Sequence, residues 1–433
     1  MARILRTTDA DFAARLDRFL AARLANAADV APVVAAIIDE VAREGDAALL
    51  RLTRRHDRWE PATVADLAVP RAELAAAFEA TDPDLKAALA LAADRIRAFH
   101  ARQMPADVRW TDEAGVTLGW RHTPLDSVGL YVPGGLASYP SSVLMNAIPA
   151  KVAGVRRLVM TMPTPDGRLN PLVLAAAHLA GVDEVWRLGG AQAVAALACG
   201  TASIRPVDKI VGPGNRYVAE AKRQVFGRVG IDAIAGPSEV VVVADAAADP
   251  RWAAADLLAQ AEHAPDAMAV LVTTEEAVAQ AVTAAVEALL AEAPADSPAH
   301  ASWLDWGLVI VAHDAADAAA IVDRLAPEHL ELMVAEPEAL AARIRHAGAI
   351  FLGAHAPEAL GDYIAGPDHV LPTAGTARFQ SGLSVFDFIK RSTVIAGSPA
   401  ALAALGPHAA ALARAEGLPL HARSLTLRLR EER

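Results

Sequence analysis

A chain of 433 residues, 54% of them hydrophobic, is long enough for large buried cores and too long for one ordinary domain. Its formal charge of −12 disfavours nucleic acid, whose phosphates ask for a basic face, and no apolar run has the length needed to span a bilayer. The single cysteine, Cys199, excludes an internal disulfide, and Met1–Asp9 lacks the apolar core of a secretory signal, so a reducing, cytoplasmic setting is expected.

Residues 1–24 read as an N-terminal arm. From about residue 25 to 105 the sequence reads helical, with apolar residues at helical spacing in Val33–Val41 and Leu85–Asp94. Past Val128, short apolar strands alternate with alanine-rich helices. The first series of strand candidates is Val128–Val132, Leu158–Met162, Glu184–Leu188 and Lys209–Val211. The second is Val240–Ala244, Val270–Thr273, Leu308–Ala312, Leu330–Val334 and Ala349–Leu352. Such alternation predicts parallel sheets with helical crossovers, and so an α/β fold of two related, incomplete Rossmann-like domains with small N- and C-terminal elements. Joints near Gly236-Pro237 and Gly366-Pro367 serve as boundaries. The expected partition is 25–127 together with 237–380 as one α/β domain, 128–236 as the other, and a tail over 381–433 ending in a helix and a short polar strand.

Local motifs leave the chemistry open. The Gly-rich dinucleotide fingerprint is absent: Gly212-Pro-Gly-Asn-Arg-Tyr217 keeps two glycines, but Pro213 and Tyr217 break the pattern. Leu130-Tyr-Val-Pro-Gly-Gly135 is a turn after a strand that either turns N–H groups toward a phosphate or merely closes a loop. Gln260 and His263 share a helix face, yet Glu262 and Asp266 beside them are better zinc ligands by type. Glu328-His329 follows Pro327 at a strand entry, which puts both side chains in a cleft or leaves a solvated turn. Cys199 lies in a small, apolar, helix-prone run and reads as a packed core thiol. Any oxidation of an aldehyde must then use water rather than a cysteine thiohemiacetal.

The order of longer blocks is more specific. Tyr131-Val-Pro-Gly-Gly135, Tyr139-Pro-Ser-Ser-Val-Leu-Met-Asn146, Gly189-Gly-Ala-Gln-Ala193 and Val211-Gly-Pro-Gly-Asn-Arg-Tyr-Val218 are followed by Ala235-Gly-Pro-Ser-Glu239 and Gln260-Ala-Glu-His263. Then come Ala326-Pro-Glu-His-Leu330, Gly361-Asp-Tyr363, His369-Val-Leu-Pro-Thr373, Ser381-Gly-Leu-Ser-Val-Phe-Asp-Phe388 and Ala415-Glu-Gly-Leu-Pro-Leu-His421. In this order, from about residue 30 to the C-terminus, the chain resembles the histidinol dehydrogenase family.

That resemblance implies NAD-dependent, four-electron oxidation of L-histidinol through L-histidinal to L-histidine, the last steps of histidine biosynthesis. It implies one zinc per subunit on Gln260, His263, Asp362 and His421, and NAD contacts at Tyr131, Gln192 and Asn215. Substrate contacts carry over to Ser238, His329 and Glu416, together with the metal ligands. Only the resemblance selects Gln260 over Glu262. Glu328 and His329 become the catalytic pair, Glu328 activating water and His329 acting as base at each hydride transfer. The domain of 237–380 then carries most zinc and catalytic residues, and 128–236 is the NAD side. In the family, Glu416 and His421 come from the partner subunit's tail, which implies a homodimer with a shared active site. Leu136 stands where the family usually has threonine and Ala233 where methionine is common, while the role of His369 stays open. The nearest alternative is a related enzyme oxidising another small hydroxymethyl compound, such as a sulfonated diol. That substrate should want arginine in place of Glu416. A zinc hydrolase without NAD and a catalytically silent zinc protein are alternatives from other classes.

Overall fold

The computed structural model describes residues 3–25, 30–134 and 139–429. The chain divides into two compact units, Met1–Arg102 with Asp126–Phe388, and Gln103–Leu125 with Ile389–Arg433. Among the described residues no helix is long and apolar enough to cross a membrane.

The larger unit contains two six-stranded sheets. The first runs Ala68–Val69, Glu184–Trp186, Arg157–Thr161, Ser127–Tyr131, Lys209–Val211, Gly230–Ile231, parallel throughout except for Ala68–Val69 at one edge. The second runs Arg3–Arg6, Gly307–Val311, Met268–Thr273, Glu239–Ala244, His329–Met333, Ala349–Leu352 and is wholly parallel. Numbered by occurrence within its own series, each sheet has the order 3-2-1-4-5, the doubly wound arrangement with a switch point beside its first strand. Every residue of Glu239–Ala244 and Met268–Thr273 is buried, because helices cover both faces. These strands accordingly read as unbroken valine-rich runs rather than alternating ones.

The N-terminal helices depart from the expected partition. Val34, Ile37 and Val41 of helix Ala31–Glu44, with Leu49 and Leu52 of helix Asp46–Asp57, join a core with Leu188, Ala191, Val194 and Val218 of the first series. Helices Arg71–Ala80 and Pro83–Ala101 pack on Pro171–Ala180 and Pro140–Ala153, also of the first series. The apolar stripe at i, i+3, i+7 identifies these helices as amphipathic. It does not say which of two alanine-rich layers receives them, and small side chains on helix Gly190–Cys199 let them approach the first.

The second sheet is completed by the arm instead. Arg3–Arg6 pairs with Leu308–Val311, and Leu5, Leu16 and Phe19 enter a core with Val270, Ile310 and Leu325.

The smaller unit takes Gln103–Leu125, which the expected partition placed with residues 25–127 in an α/β domain. Val108–Thr111 and Thr117–Pro124 form a three-stranded antiparallel sheet with Ile389–Ala396. Helices Pro399–Ala415 and Pro419–Arg428 follow. The short polar strand expected at the end is therefore helix. The alternation of Leu425-Thr-Leu-Arg-Leu429 imitates a strand, but Pro419 opens a helix and Leu429 lies over Gly406 of its neighbour.

Candidate active site

Two sheet edges of the larger unit supply most of the residues singled out from the sequence. Tyr131, Gln192 and Asn215 lie at the carboxyl edge of the first sheet, where doubly wound folds bind nucleotides. Tyr131 ends its strand, and its buried hydroxyl accepts the Gly190 N–H at 3.0 Å. Gln192 is buried in the first turn of helix Gly190–Cys199. Asn215 caps helix Arg216–Val225, its side chain accepting from the N–H groups of Tyr217 and Val218 at 3.0 and 3.2 Å.

The turn before Asn215 is held from beneath. The buried Lys222 ammonium donates to Gly212 O at 3.0 Å and pairs with Asp232, which accepts the Gly212 N–H at 2.7 Å. Gly212 has φ +112°, and a Cβ there would lie 2.2 Å from Tyr131 O, so only glycine fits. Beside this edge is a cavity of about 460 Å³ lined in part by Arg58, Pro133, Gly134, Asp166 and Asn170. The N-terminus of helix Pro171–Ala180 opens onto it, and none of Tyr131, Gln192 and Asn215 lines it. Gly135 and Leu136 lie outside the described residues.

The Glu328–His329 corner is at the opposite, amino edge of the second sheet. Helix Ala315–Leu325 stops at Ala326 in the left-handed conformation, and Pro327 turns the chain into strand His329–Met333. The N–H groups of Gly348 and Ala349 donate to the carbonyls of Pro327 and Glu328, both at 2.9 Å, and a Cβ on Gly348 would lie 2.6 Å from Glu328 O. Across the sheet, Glu239 binds both members of the pair through its backbone. Its N–H donates to Glu328 Oε2 at 2.9 Å, and its carbonyl accepts the Nδ1–H of His329 at 3.1 Å. A carbonyl can only accept, so with the Gln260 amide nitrogen, 3.2 Å from Nδ1, giving its two hydrogens to Glu358 Oε1 and Glu239 O, the proton of neutral His329 is on Nδ1 and the lone pair on Nε2. Nε2 is 3.8 Å from Asp362 Oδ1.

Three elements close around Asp362. It sits on helix Glu358–Tyr363, with His263 Nε2 3.8 Å from Oδ2 and His369 Nδ1 3.8 Å from Oδ1. Fully buried Gln260, in the last turn of helix Pro250–Ala261, turns its amide nitrogen to Glu358 Oε1 at 3.0 Å and Glu239 O at 3.2 Å, which leaves its oxygen available as a ligand. Glu262 and Asp266 are exposed. His263, Glu358 and Asp362 offer ligand atoms that all lie within 4.8 Å of one another. The mixed nitrogen and oxygen donors suit zinc. Ser142, in the first turn of a helix of the first series, is 3.4 Å from His369 Nε2, so the two edges meet at this point.

Burial shapes the electrostatics. It lowers His329 to about 4, opposed by neighbouring Asp362. Burial, reinforced by repulsion from Asp362 and the neighbouring glutamates, raises Glu328 and Glu358 well above the usual carboxylate range. A divalent cation among them would relieve this crowding of acids.

Ser238 is half-buried, its carbonyl accepting from Met268 N at 2.9 Å. Glu416 and His421 belong to the smaller unit and are exposed, one after helix Pro399–Ala415 and the other within Pro419–Arg428. Sequence reasoning missed Glu239, Glu358 and a buried guanidinium, Arg23, that pairs with Glu239 at 3.4 Å. Glu239 and Glu358 are signalled only by being acids in or near the quoted blocks, and Arg23 by nothing local.

A family profile described as histidinol dehydrogenase matches residues 21–429. Histidinol dehydrogenase of Cereibacter sphaeroides is 60% identical over 429 residues, 99% of each chain. That of Bradyrhizobium diazoefficiens is 58% identical over 422 residues, 98% of each. The crystal structure of histidinol dehydrogenase from Elizabethkingia anophelis aligns with a TM-score of 0.88 at 36% identity, covering 93% of this chain and 92% of that one.

Proposed function

The chain belongs to the histidinol dehydrogenase family, and from that premise we propose how its residues divide the work of oxidising L-histidinol through L-histidinal to L-histidine. It is an NAD-dependent oxidoreductase acting on a CH–OH donor, with zinc as its metal. When bound, NAD takes up hydride from the substrate carbon and zinc polarises and orients the alcohol.

Gln260, His263 and Asp362 hold the metal, with His421 from the partner subunit. Tyr131, Gln192 and Asn215 hold the nucleotide, and Ser238, His329 and Glu416 address the substrate. His329 Nε2 removes the hydroxyl proton in each oxidation, its lone pair fixed there by the Nδ1–H bond to Glu239. Glu328 takes a proton from the water that adds to the aldehyde. A carboxyl held above its ordinary range is a stronger base once ionised, which suits that step. The observation that carries this assignment is the shared anchor: one backbone unit, Glu239, binds Glu328 and His329 together beside Asp362.

A homodimer with a shared site is part of the proposal. Support comes from Glu416 and His421 being exposed among apolar side chains, with Leu420 76% and Leu412 66% accessible. A cytoplasmic location accords with the biosynthetic reaction.

The test follows NADH absorbance with L-histidinol, then with supplied histidinal, in wild type and in Glu328→Gln and His329→Asn. His329→Asn should cripple both substrates, and Glu328→Gln should damage passage through the aldehyde far more than oxidation of its hydrate. Equal, mild losses in both variants, or turnover undiminished after chelation of the metal, would overturn the assignment.

A further inference from the structure

Beneath the acid–base corner lies a cation that none of the roles above uses. Arg23 belongs to helix Phe12–Ala25 of the N-terminal arm, and its side chain is 6% accessible. Burial lowers its proton affinity, and the nearby acids Glu239, Asp266 and Glu328 oppose that. Its guanidinium is a fork with most of its prongs engaged. Nη2 donates to Pro237 O at 3.0 Å and Ser238 O at 3.2 Å and lies 3.4 Å from Glu239 Oε1, while Nη1 donates to Asp266 O at 3.2 Å. The same carboxylate oxygen, Oε1, also accepts the Ala374 N–H at 3.1 Å.

We propose that Arg23 is a positioning residue for the reaction: it fixes the 237–239 backbone, and through it the orientation of Glu328 and His329. The inference rests on reading Glu328 and His329 as the acid–base pair. The chain of contact is short. Arg23 holds three successive residues, Pro237, Ser238 and Glu239. The N–H and carbonyl of the last hold Glu328 Oε2 at 2.9 Å and His329 Nδ1 at 3.1 Å. Without the fork, the carbonyls of Pro237 and Asp266 lose this donor, Ser238 O keeps only the Met268 N–H, and a buried carboxylate loses its counter-charge. The 237–239 segment then relaxes, and the direction of the His329 lone pair relaxes with it. Arg23 touches no reacting atom. Lysine keeps the charge but not the planar fork, so it can satisfy Glu239 or the carbonyls but not all of them together.

The experiment compares Arg23→Lys and Arg23→Ala with wild type and His329→Asn, each zinc-loaded, recording kcat, KM for NAD, zinc content and Tm. Misplacement of about 1 Å at a corner of this kind costs roughly 10²-fold in rate. The expected result for Arg23→Ala is a kcat lower by about that factor, with unchanged KM for NAD, retained zinc, and recovery of activity on adding guanidine. Arg23→Lys should fold with near-normal Tm and still turn over slowly, which keeps the test alive if the alanine variant does not fold. Wild-type kcat in a folded Arg23→Lys, or losses that follow Tm and ignore guanidine, would overturn the proposal. An unimpaired His329→Asn would instead refute the reading of the pair on which it stands.

Discussion

Replacing Lys222 by methionine isolates what the buried clamp under the Gly212 turn does. Methionine nearly preserves the volume of this side chain, 2% exposed in the native fold, so packing changes little. What is lost is the ammonium between Gly212 O and the Asp232 carboxylate. Asp232 then stays buried, holding the Gly212 N–H with no counter-charge. Removing one partner of a buried pair in this way costs about 3–5 kcal/mol. Unfolding entropy of about 2.1 cal/mol/K per residue, summed over 433 residues, is about 0.9 kcal/mol/K, so Tm should fall by about 3–6 °C. Because the turn leads into Asn215, KM for NAD should rise roughly 5–10-fold, the loss of about one well-placed contact, with kcat little changed. Adding Asp232→Asn to the variant removes the stranded charge and should recover most of the Tm. Thermal melts and steady-state kinetics on the four proteins complete a double-mutant cycle. Additive losses, or a single-variant drop below about 1 °C, would show that Lys222 and Asp232 do not work as a pair.

Three further outcomes are expected. His263→Ala should lose zinc and activity together, and full zinc occupancy by metal analysis would remove His263 from the ligand set. Inactive His421→Ala and His329→Ala, mixed under conditions of demonstrated subunit exchange, should regain activity toward about half the wild-type value per heterodimer, because each heterodimer has one intact site; no gain would refute sharing. In the metal-free protein, burial and neighbouring Asp256 push Glu331 up to about 9, so the folded form keeps a proton that the unfolded chain releases. That contribution is present below the ordinary carboxylate range and is lost as pH rises toward 9, at about 1.4 kcal/mol per pH unit. Melts against pH should therefore be flatter by one proton in Glu331→Gln, and an unchanged slope would contradict the assignment.

How much was legible in the sequence depended on whether the signal was local. The strands of both series lie within a residue or two of their expected positions, because a doubly buried strand must be an apolar run of that length. Gln260, His263, Asp362, Glu328 and His329 do converge, although they were chosen by resemblance and not by spacing. Residues 31–101 were recognisable as helices but not assignable to a layer, since an amphipathic stripe states that a face is buried and not against what. Arg23 was invisible for a related reason: an arginine in an alanine-rich helix looks solvated until a distant loop supplies its acceptors.

The edge strand Arg3–Arg6 also has a consequence for biosynthesis. It pairs with Leu308–Val311, about 300 residues further along the chain. At 5–20 residues per second, a ribosome needs roughly 15–60 s between making the strand and making its partner. Over that interval the first sheet and its helices, all encoded between residues 31 and 231, can close while the arm waits with its strand unpaired. The nascent chain can thus assemble its first sheet early and its second sheet late. A fusion or truncation at the arm should slow maturation of that late-closing half first.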